Sequence, residues 1–264
     1  MENIYWQKQT DQPLFEDLIW SRPENKAQAG KLLIIGGNLH GFSAPAEAYA
    51  QGTKAGIGTA RVLLPNALQK TVGRILENGE YAPSTPSGSF AKNALAELLD
   101  HGAWADGVLL AGDFGRNSET AILLEEFVTK FSGQLTFTKD SIDHFLHNPG
   151  ALLSRPKTTL VVTMAELQKL FQNVGAKTAI KSNMDLVPLV EALHEFSSAY
   201  QANIITKQNE YIIVAQQGKV SSSKITQNNA SWQVKTASYA TVWWLQNPTK
   251  SFEALTTAVY ESIK

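Results

Sequence analysis

Four stretches of the 264-residue sequence combine glycines, acids or a lysine at spacings that could do chemistry. The first is Gly36-Gly37-Asn38-Leu39-His40-Gly41-Phe42-Ser43-Ala44, which runs into a helical pattern. Glycines let a backbone come close to a ligand, and a helix start capped by Ser43 offers N–H groups to an anion. The same composition also makes an ordinary strand-to-helix turn with an N-cap. The second stretch is Ala111-Gly112-Asp113-Phe114-Gly115-Arg116-Asn117-Ser118. Gly112 and Gly115 permit tight geometry there, and Asp113 could hold a metal-bound water or a ribose hydroxyl. The alternative is a structural Gly-Asp turn with Ser118 as N-cap. In the third, Asp140 is followed by Asp143 and His144. Such a run can bind a divalent cation through oxygens, or form the acidic first turn of a helix, where carboxylates offset the macrodipole. The fourth is Lys207, at the end of an apolar run, either a point charge for a phosphate or a solvated hairpin lysine.

Other chemistries are excluded or disfavoured. The chain has no cysteine, which removes disulfides, thiol nucleophiles and cysteine-based zinc sites. Its five histidines (His40, His101, His144, His147 and His194) show no metal-ligand spacing with a third ligand. There is no G-x-S-x-G elbow and no Walker A sequence. The net charge of −1, without a dense Lys/Arg run, argues against nucleic acid as a partner. No run of 18 apolar residues occurs, and Met1 to Thr10 lacks a basic segment followed by an apolar one, so a cytoplasmic protein without membrane insertion is expected.

These stretches must be held by regular elements. With 43% hydrophobic and 18% charged residues, the composition is that of a globular chain. Short apolar runs at 31–35, 59–64, 107–111, 134–138, 159–163, 202–207 and 211–215 read as strands. Helical spacing falls at 14–20, 43–54, 118–131, 165–171 and 186–200. Strands alternating with helices imply βαβ crossovers and a mostly parallel sheet covered on both faces. In such sheets, ligands bind beyond the carboxyl ends of the strands, where the four stretches fall. Residues 77–89 and 221–231 read as polar loops. The length and even texture suggest one domain over 1–264, with 1–30 as an N-terminal helical extension.

The order of the pieces resembles the ADP-dependent NAD(P)H-hydrate dehydratases of the ribokinase-like superfamily. KLLIIGGNLHGFSAPAEAYAQGTKAGIGTARVLLP, Lys31 to Pro65, is similar to that family's opening: apolar strand, G-G-S, loop, alanine-rich helix and R-x-G-A-G. Ala44 stands at the family's substrate-contacting alanine, and Asn25 to Gly30 resembles its H-K-G-x-x-G lead-in without the histidine. Ala111 to Arg116 is similar to G-P-G-L-G-R, Asp140 to the second acid of D-A-D, and Thr163 to Glu166 to a contracted T-P-H-x-G-E. Asn203 to Val214 resembles the strand pair carrying K-G-x-x-T, with Lys207 at the lysine. The resemblance runs from Asn25 to Ile263. It implies an α/β, ribokinase-like three-layer sandwich with a central mostly parallel sheet flanked by helices.

The resemblance further implies ADP or ATP with Mg2+ as cofactors, an NAD(P)H-related small molecule as substrate, and a homo-oligomer, a tetramer in the family. The ligand-binding set it suggests is Gly37, Asn38, Ala44, Gly112, Asp113, Gly115, Arg116, Asp140, Lys207, Ala237 and Ser238, with no metal ligand assigned. The family reaction uses G-T-G-D at the start of a late helix, whose N–H groups hold phosphate while the aspartate takes a proton. The matching stretch here is Ala237-Ser238-Tyr239-Ala240, followed by a short helix at 241–246, with Ala240 at the acid's place and Tyr239 at a glycine's. No aspartate follows Asp185, and Gly218 is the only glycine after Gly175. Three readings follow: a family member that binds an adenine nucleotide or dinucleotide with catalysis lost or much reduced, an active dehydratase or small-molecule kinase using Asp113, Asp140 or Glu166 as a relocated base, and a non-catalytic partner subunit.

Overall fold

The computed structural model describes residues 4–73, 79–225 and 231–264. Its strands are β1 (Trp6–Gln9), β2 (Lys31–Gly36), β3 (Thr59–Pro65), β4 (Gly79–Ala82), β5 (Gly107–Gly112), β6 (Gln134–Thr138), β7 (Thr158–Val162), β8 (Asn203–Gln208), β9 (Tyr211–Gln216) and β10 (Lys219–Lys224). Its α-helices are α1 (Glu16–Trp20), α2 (Ser43–Lys54), α3 (Gln69–Val72), α4 (Leu95–Trp104), α5 (Ser118–Lys130), α6 (Gly150–Ser154), α7 (Met164–Asn173), α8 (Leu186–Ala199), α9 (Trp232–Gln246) and α10 (Ser251–Ile263).

The strands form one ten-stranded sheet in the order β1-β10-β9-β8-β7-β6-β5-β2-β3-β4. All neighbours are parallel except β9, which runs antiparallel to both β8 and β10. Continuous apolar runs suit this arrangement, because side chains alternate between two covered faces. In β2, Leu33 and Ile35 enter a cluster with Val108, Leu110, Phe137 and residues of α4, α5, α7 and α8. Leu32 and Ile34 point the other way, into a cluster with Leu109, Val161 and residues of α2, α9 and α10. Leu32 to Ile35, Val108 to Leu110 and Leu160 to Val162 are all fully buried. Burying a residue of this size stabilises by about 1.5–3 kcal/mol, so the apolar runs anchor the sheet.

Several elements differ from the sequence expectation. The N-terminal segment contains α1 but also β1, an edge strand whose Trp6 Nε1 donates to Ser222 Oγ at 2.9 Å. Trp-Gln-Lys-Gln carries little strand pattern, so its pairing comes from the free edge of β10. β4 and β10 fall where loops were expected, with residues 77–78 and 226–230 of those loops outside the described residues. Ser221, Ser222 and Ser223 are buried in β10, and Ser221 shares a 2.7 Å hydrogen bond with Thr256 Oγ1. Serines that find partners on a neighbouring helix can line a covered strand without an apolar signature. The expected short helix at 241–246 is the end of the 15-residue α9.

Strand order creates the place for a site. From β2 the chain moves to β3 and β4 on one side, then returns to β5 on the other. The chain after β2 and the chain after β5 therefore pass to opposite faces of the sheet, the kind of switch point beyond whose carboxyl ends open α/β sheets carry a ligand crevice.

Candidate functional site

The two glycine-rich stretches meet at this crevice. Gly37 N donates to Gly112 O at 2.9 Å. A Cβ on Gly36 would lie 2.4 Å from Gly112 O, so the backbones approach as closely as they do only because position 36 is glycine. Gly112 has φ +107, a region that favours glycine, and it turns the chain so that Asp113 faces α2. Asp113 itself has φ +59, which aspartate tolerates better than most residues.

The Asp113 carboxylate caps α2 from across the crevice. Its Oδ2 accepts from Ala44 N at 2.7 Å and from Ser43 Oγ at 3.3 Å. Ser43 was the expected N-cap, but it is the first helical residue, and α2 makes no side-chain cap bond of its own. Asn38 locks the loop: its Nδ2 donates to Asp113 O at 2.6 Å, and its Oδ1 accepts from His40 N at 2.8 Å. At the next helix, Asn117 rather than Ser118 is the N-cap, accepting from Glu119 N at 2.8 Å. Arg116 stands exposed at the mouth.

Asp140 serves neither an α-helix start nor a described cation cluster. It lies in a short 3₁₀ turn after β6, and its Oδ2 accepts from Gly115 N at 2.9 Å, while the nearby Phe114 N–H also favours the charged carboxylate. It thus staples the 112–115 turn to the end of the neighbouring strand. Burial pushes the Asp140 carboxyl above the usual range, partly opposed by these N–H groups, while Asp113 pushes it further up. His144 is pushed down by burial, against the pull of Asp140, Asp143 and Glu125. Asp140 Oδ1 and His144 Nε2 are buried without a hydrogen-bond partner among the described residues. No group of three metal-ligating side chains occurs among those residues.

Farther along the same edge, Glu166 closes a capping box on α7. Its Oε2 accepts from Thr163 N at 2.6 Å, Thr163 Oγ1 at 2.9 Å and Gln233 Nε2 at 3.2 Å. Burial raises its pKa, opposed first by the Thr163 N–H. The Gln233 bond ties the start of α9 to α7, and a second from Gln233 Nε2 to Val161 O at 3.3 Å ties it to the end of β7. Lys207, near the end of β8, lines a cavity of about 80 Å3 with Trp232, Lys235, Thr236 and Lys264. A strand spacing of about 4.8 Å puts Lys207 roughly 14 Å across the sheet from β5. All four stretches therefore stand at one edge, with Gly37, Asn38, Ala44, Gly112, Asp113, Gly115 and Asp140 tightly grouped and Lys207 apart. A larger cavity, about 820 Å3, lies toward the opposite edge between the end of α5 and α6.

Ala237 to Ala240 do not form a loop at a helix start. They lie in the second and third turns of α9, where their N–H groups are spent on carbonyls four residues back. Ala237, Ser238 and Ala240 are fully buried, and Ser238 Oγ donates to Val234 O at 2.8 Å. Tyr239 is half-buried against the cluster of α1 and α10. These residues pack the helix and cannot cradle a phosphate. α9 begins at Trp232, and its first turn contains no acid. The uninterrupted run from Ser231 to the Asn247-Pro248 stop was the sequence signal for this longer helix. Sequence reasoning also missed Lys235, Lys264 and Gln233, which only the packing of α9 and α10 brings to this edge.

No family model matches the sequence, and no curated protein does. Solved structures do match. A ribokinase-like superfamily protein from Enterococcus faecalis superposes with a TM-score of 0.73 at 16% identity, covering 100% of this chain and 89% of that one. An ADP/ATP-dependent NAD(P)H-hydrate dehydratase from Bacillus subtilis, co-crystallised with ATP and Mg2+, gives 0.62 at 13% identity, covering 97% and 88%. An adenosine kinase from Anopheles gambiae gives 0.54 at 13%, covering 81% and 78%. At such identities the likeness speaks for architecture. The chain has the three-layer α/β fold of the ribokinase-like proteins, a mostly parallel sheet flanked by helices.

Proposed function

We propose that residues 1–264 form a single ribokinase-like domain, a divergent relative of the NAD(P)H-hydrate dehydratases. It binds an adenine nucleotide or dinucleotide in the crevice, with catalysis lost or much reduced. The observation that carries this reading is the start of α9. Lys207, Lys235 and Lys264 line a small cavity there, Lys264 also pairing with Glu261, a setting that can take phosphates, while the first turn holds no carboxylate of its own and the neighbouring Glu166 is engaged in its capping box. Removing a positioned general base costs roughly 10²–10⁴-fold in rate. The solved relatives that carry ATP with Mg2+ support the choice of ligand. Without a described three-ligand cluster, Mg2+ fits as an ion carried on the phosphates, as is usual for that cation.

A second reading is favoured by Asp140. Its raised pKa and unpaired Oδ1 are properties of a general base, and a relocated base there would give an active dehydratase or kinase. The test that separates the two is a thermal-shift screen of ADP, ATP, AMP, NAD(H) and NADP(H), with and without Mg2+, followed by turnover assays on whatever binds. Ligand at about a hundred times its Kd adds about 2.7 kcal/mol of stability. Stabilisation without turnover supports the first reading, and turnover abolished by Asp140→Asn supports the second. No stabilisation by any nucleotide overturns both.

A further inference from the structure

We infer that the cleft of about 820 Å3 between the end of α5 and α6 is a second ligand site, built for a small organic carboxylate with an apolar body. It lies by the amino ends of β6 and β7, at the far end of the sheet from the crevice, and its argument is independent of the nucleotide reading.

The cleft originates in a short crossover. β6 and β7 are parallel, and the chain between them packs on the face that α5 also covers. That connection holds only a 3₁₀ turn and the five-residue α6, where a longer crossover helix would fill the layer beside α5. Val128, Phe131, Phe145, Leu152 and Pro156 are left as the apolar walls of an open space. Its volume is that of a small-molecule pocket, and the two phenyl rings offer aromatic surface to a ligand's body.

Arg155 sets the charge on the buried side of the cleft. Its half-buried guanidinium is held by neutral acceptors alone. Nε donates to Val128 O at 3.3 Å, Nη1 to Pro156 O at 3.1 Å and to Thr158 Oγ1 at 2.9 Å, and Nη2 to Gly133 O at 2.8 Å and to Phe131 O. These bonds cap the end of α5 and fix the cation in place. No carboxylate pairs with it among the described residues. Burial pulls its pKa down to about 10, so the charged form is penalised and gains from an anion nearby. The hydrogen bonds for that anion come from the neighbours. Ser132 stands between the two residues whose carbonyls take Nη2, and Ser154 directly precedes Arg155. Both serines line the cleft, and their hydroxyls, like the Asn148 side-chain amide, have no partner among the described residues. A fixed cation flanked by uncommitted donors suits a carboxylate. Glu125 and His147 also line the cleft, but both are exposed, and water screens them more than it screens Arg155.

The test titrates 4-phenylbutyrate and its uncharged amide, 4-phenylbutanamide, into the full-length protein at pH 7. The Ser132, His147 and Ala151 backbone amides are followed by nuclear magnetic resonance. The expected result is saturable binding of the carboxylate at these three positions, with the amide roughly tenfold or more weaker. Ser132→Ala combined with Ser154→Ala, both at exposed positions, should weaken the carboxylate by a similar factor and leave the amide as it was. Ala151→Trp, which fills the cleft from an exposed position of α6, should abolish both. Three results would overturn the inference: no saturable binding of the carboxylate, equal affinity for the two probes, or an unchanged carboxylate affinity in a natively folded double-alanine variant. It fails equally if the three amides move on dilution of the protein alone, because a second copy then covers the cleft. A response at Ala44 or Trp232 in place of Ala151 would put the probe in the crevice and overturn it as well.

Discussion

Replacing Asp140 with alanine should destabilise the protein by about 1–2 kcal/mol, and the reason lies in what its carboxylate holds. Oδ2 accepts the Gly115 N–H at 2.9 Å. Leaving a buried donor without a partner costs about 1–3 kcal/mol. Gly115 is half-exposed, so water recovers part of its loss. Against this stands relief from burying a carboxylate, whose raised pKa shows that its charged form is penalised. Asp140→Asn keeps an acceptor oxygen and removes the charge, so it should cost less than about 1 kcal/mol. Urea unfolding at pH 7 measures both, with the midpoint compared at constant slope. If the alanine and asparagine variants were equally stable, or the alanine variant matched the wild type, the staple between the 3₁₀ turn and the 112–115 turn would not exist.

Gly36→Ala should cost more than about 2 kcal/mol, because the new Cβ meets the Gly112 carbonyl oxygen at 2.4 Å and neither backbone can yield; thermal unfolding checks it. Ala240→Asp should not restore activity and should destabilise by about 3 kcal/mol or more, since it buries a charge in the middle of α9, as urea titration would show. Burial raises the pKa of both Asp140 and Glu166, so the native state keeps protons that the unfolded chain has released. Their contribution to stability therefore falls as pH rises from the ordinary carboxylate range through the raised values. The difference in unfolding free energy between wild type and the Asp140→Asn, Glu166→Gln double variant should decline over that window and then level off. A difference that grew with pH would reverse the sign of the argument.

The sheet was legible wherever strands are covered on both faces, because runs such as Leu32 to Ile35 have no polar alternative. It was illegible at the margins. β1 is polar and exists through the edge it completes, while β10 hides its burial in serines paired with Trp6 and Thr256. The crevice residues were also readable, since strand-Gly-Gly and Gly-Asp turns fall at carboxyl ends of parallel strands. Their partnerships were not. That Asp113 would cap α2, 69 positions earlier in sequence at Ala44, depends on β2 and β5 being neighbours, which no local pattern encodes. Matching letters at Ala237 to Ala240 misplaced the start of α9, because a helix boundary is set by capping and by the last breaker, not by an aligned motif.

The proposed loss of catalysis is tested most directly by the rate of ADP-dependent dehydration of NAD(P)H hydrate by the purified wild-type protein, followed by absorbance with saturating ADP and Mg2+. With no acid in the first turn of α9 and Ala240 sealed inside the helix, no measurable turnover is expected. Turnover within roughly tenfold of an active dehydratase, less than the loss of a general base should cost, would contradict it.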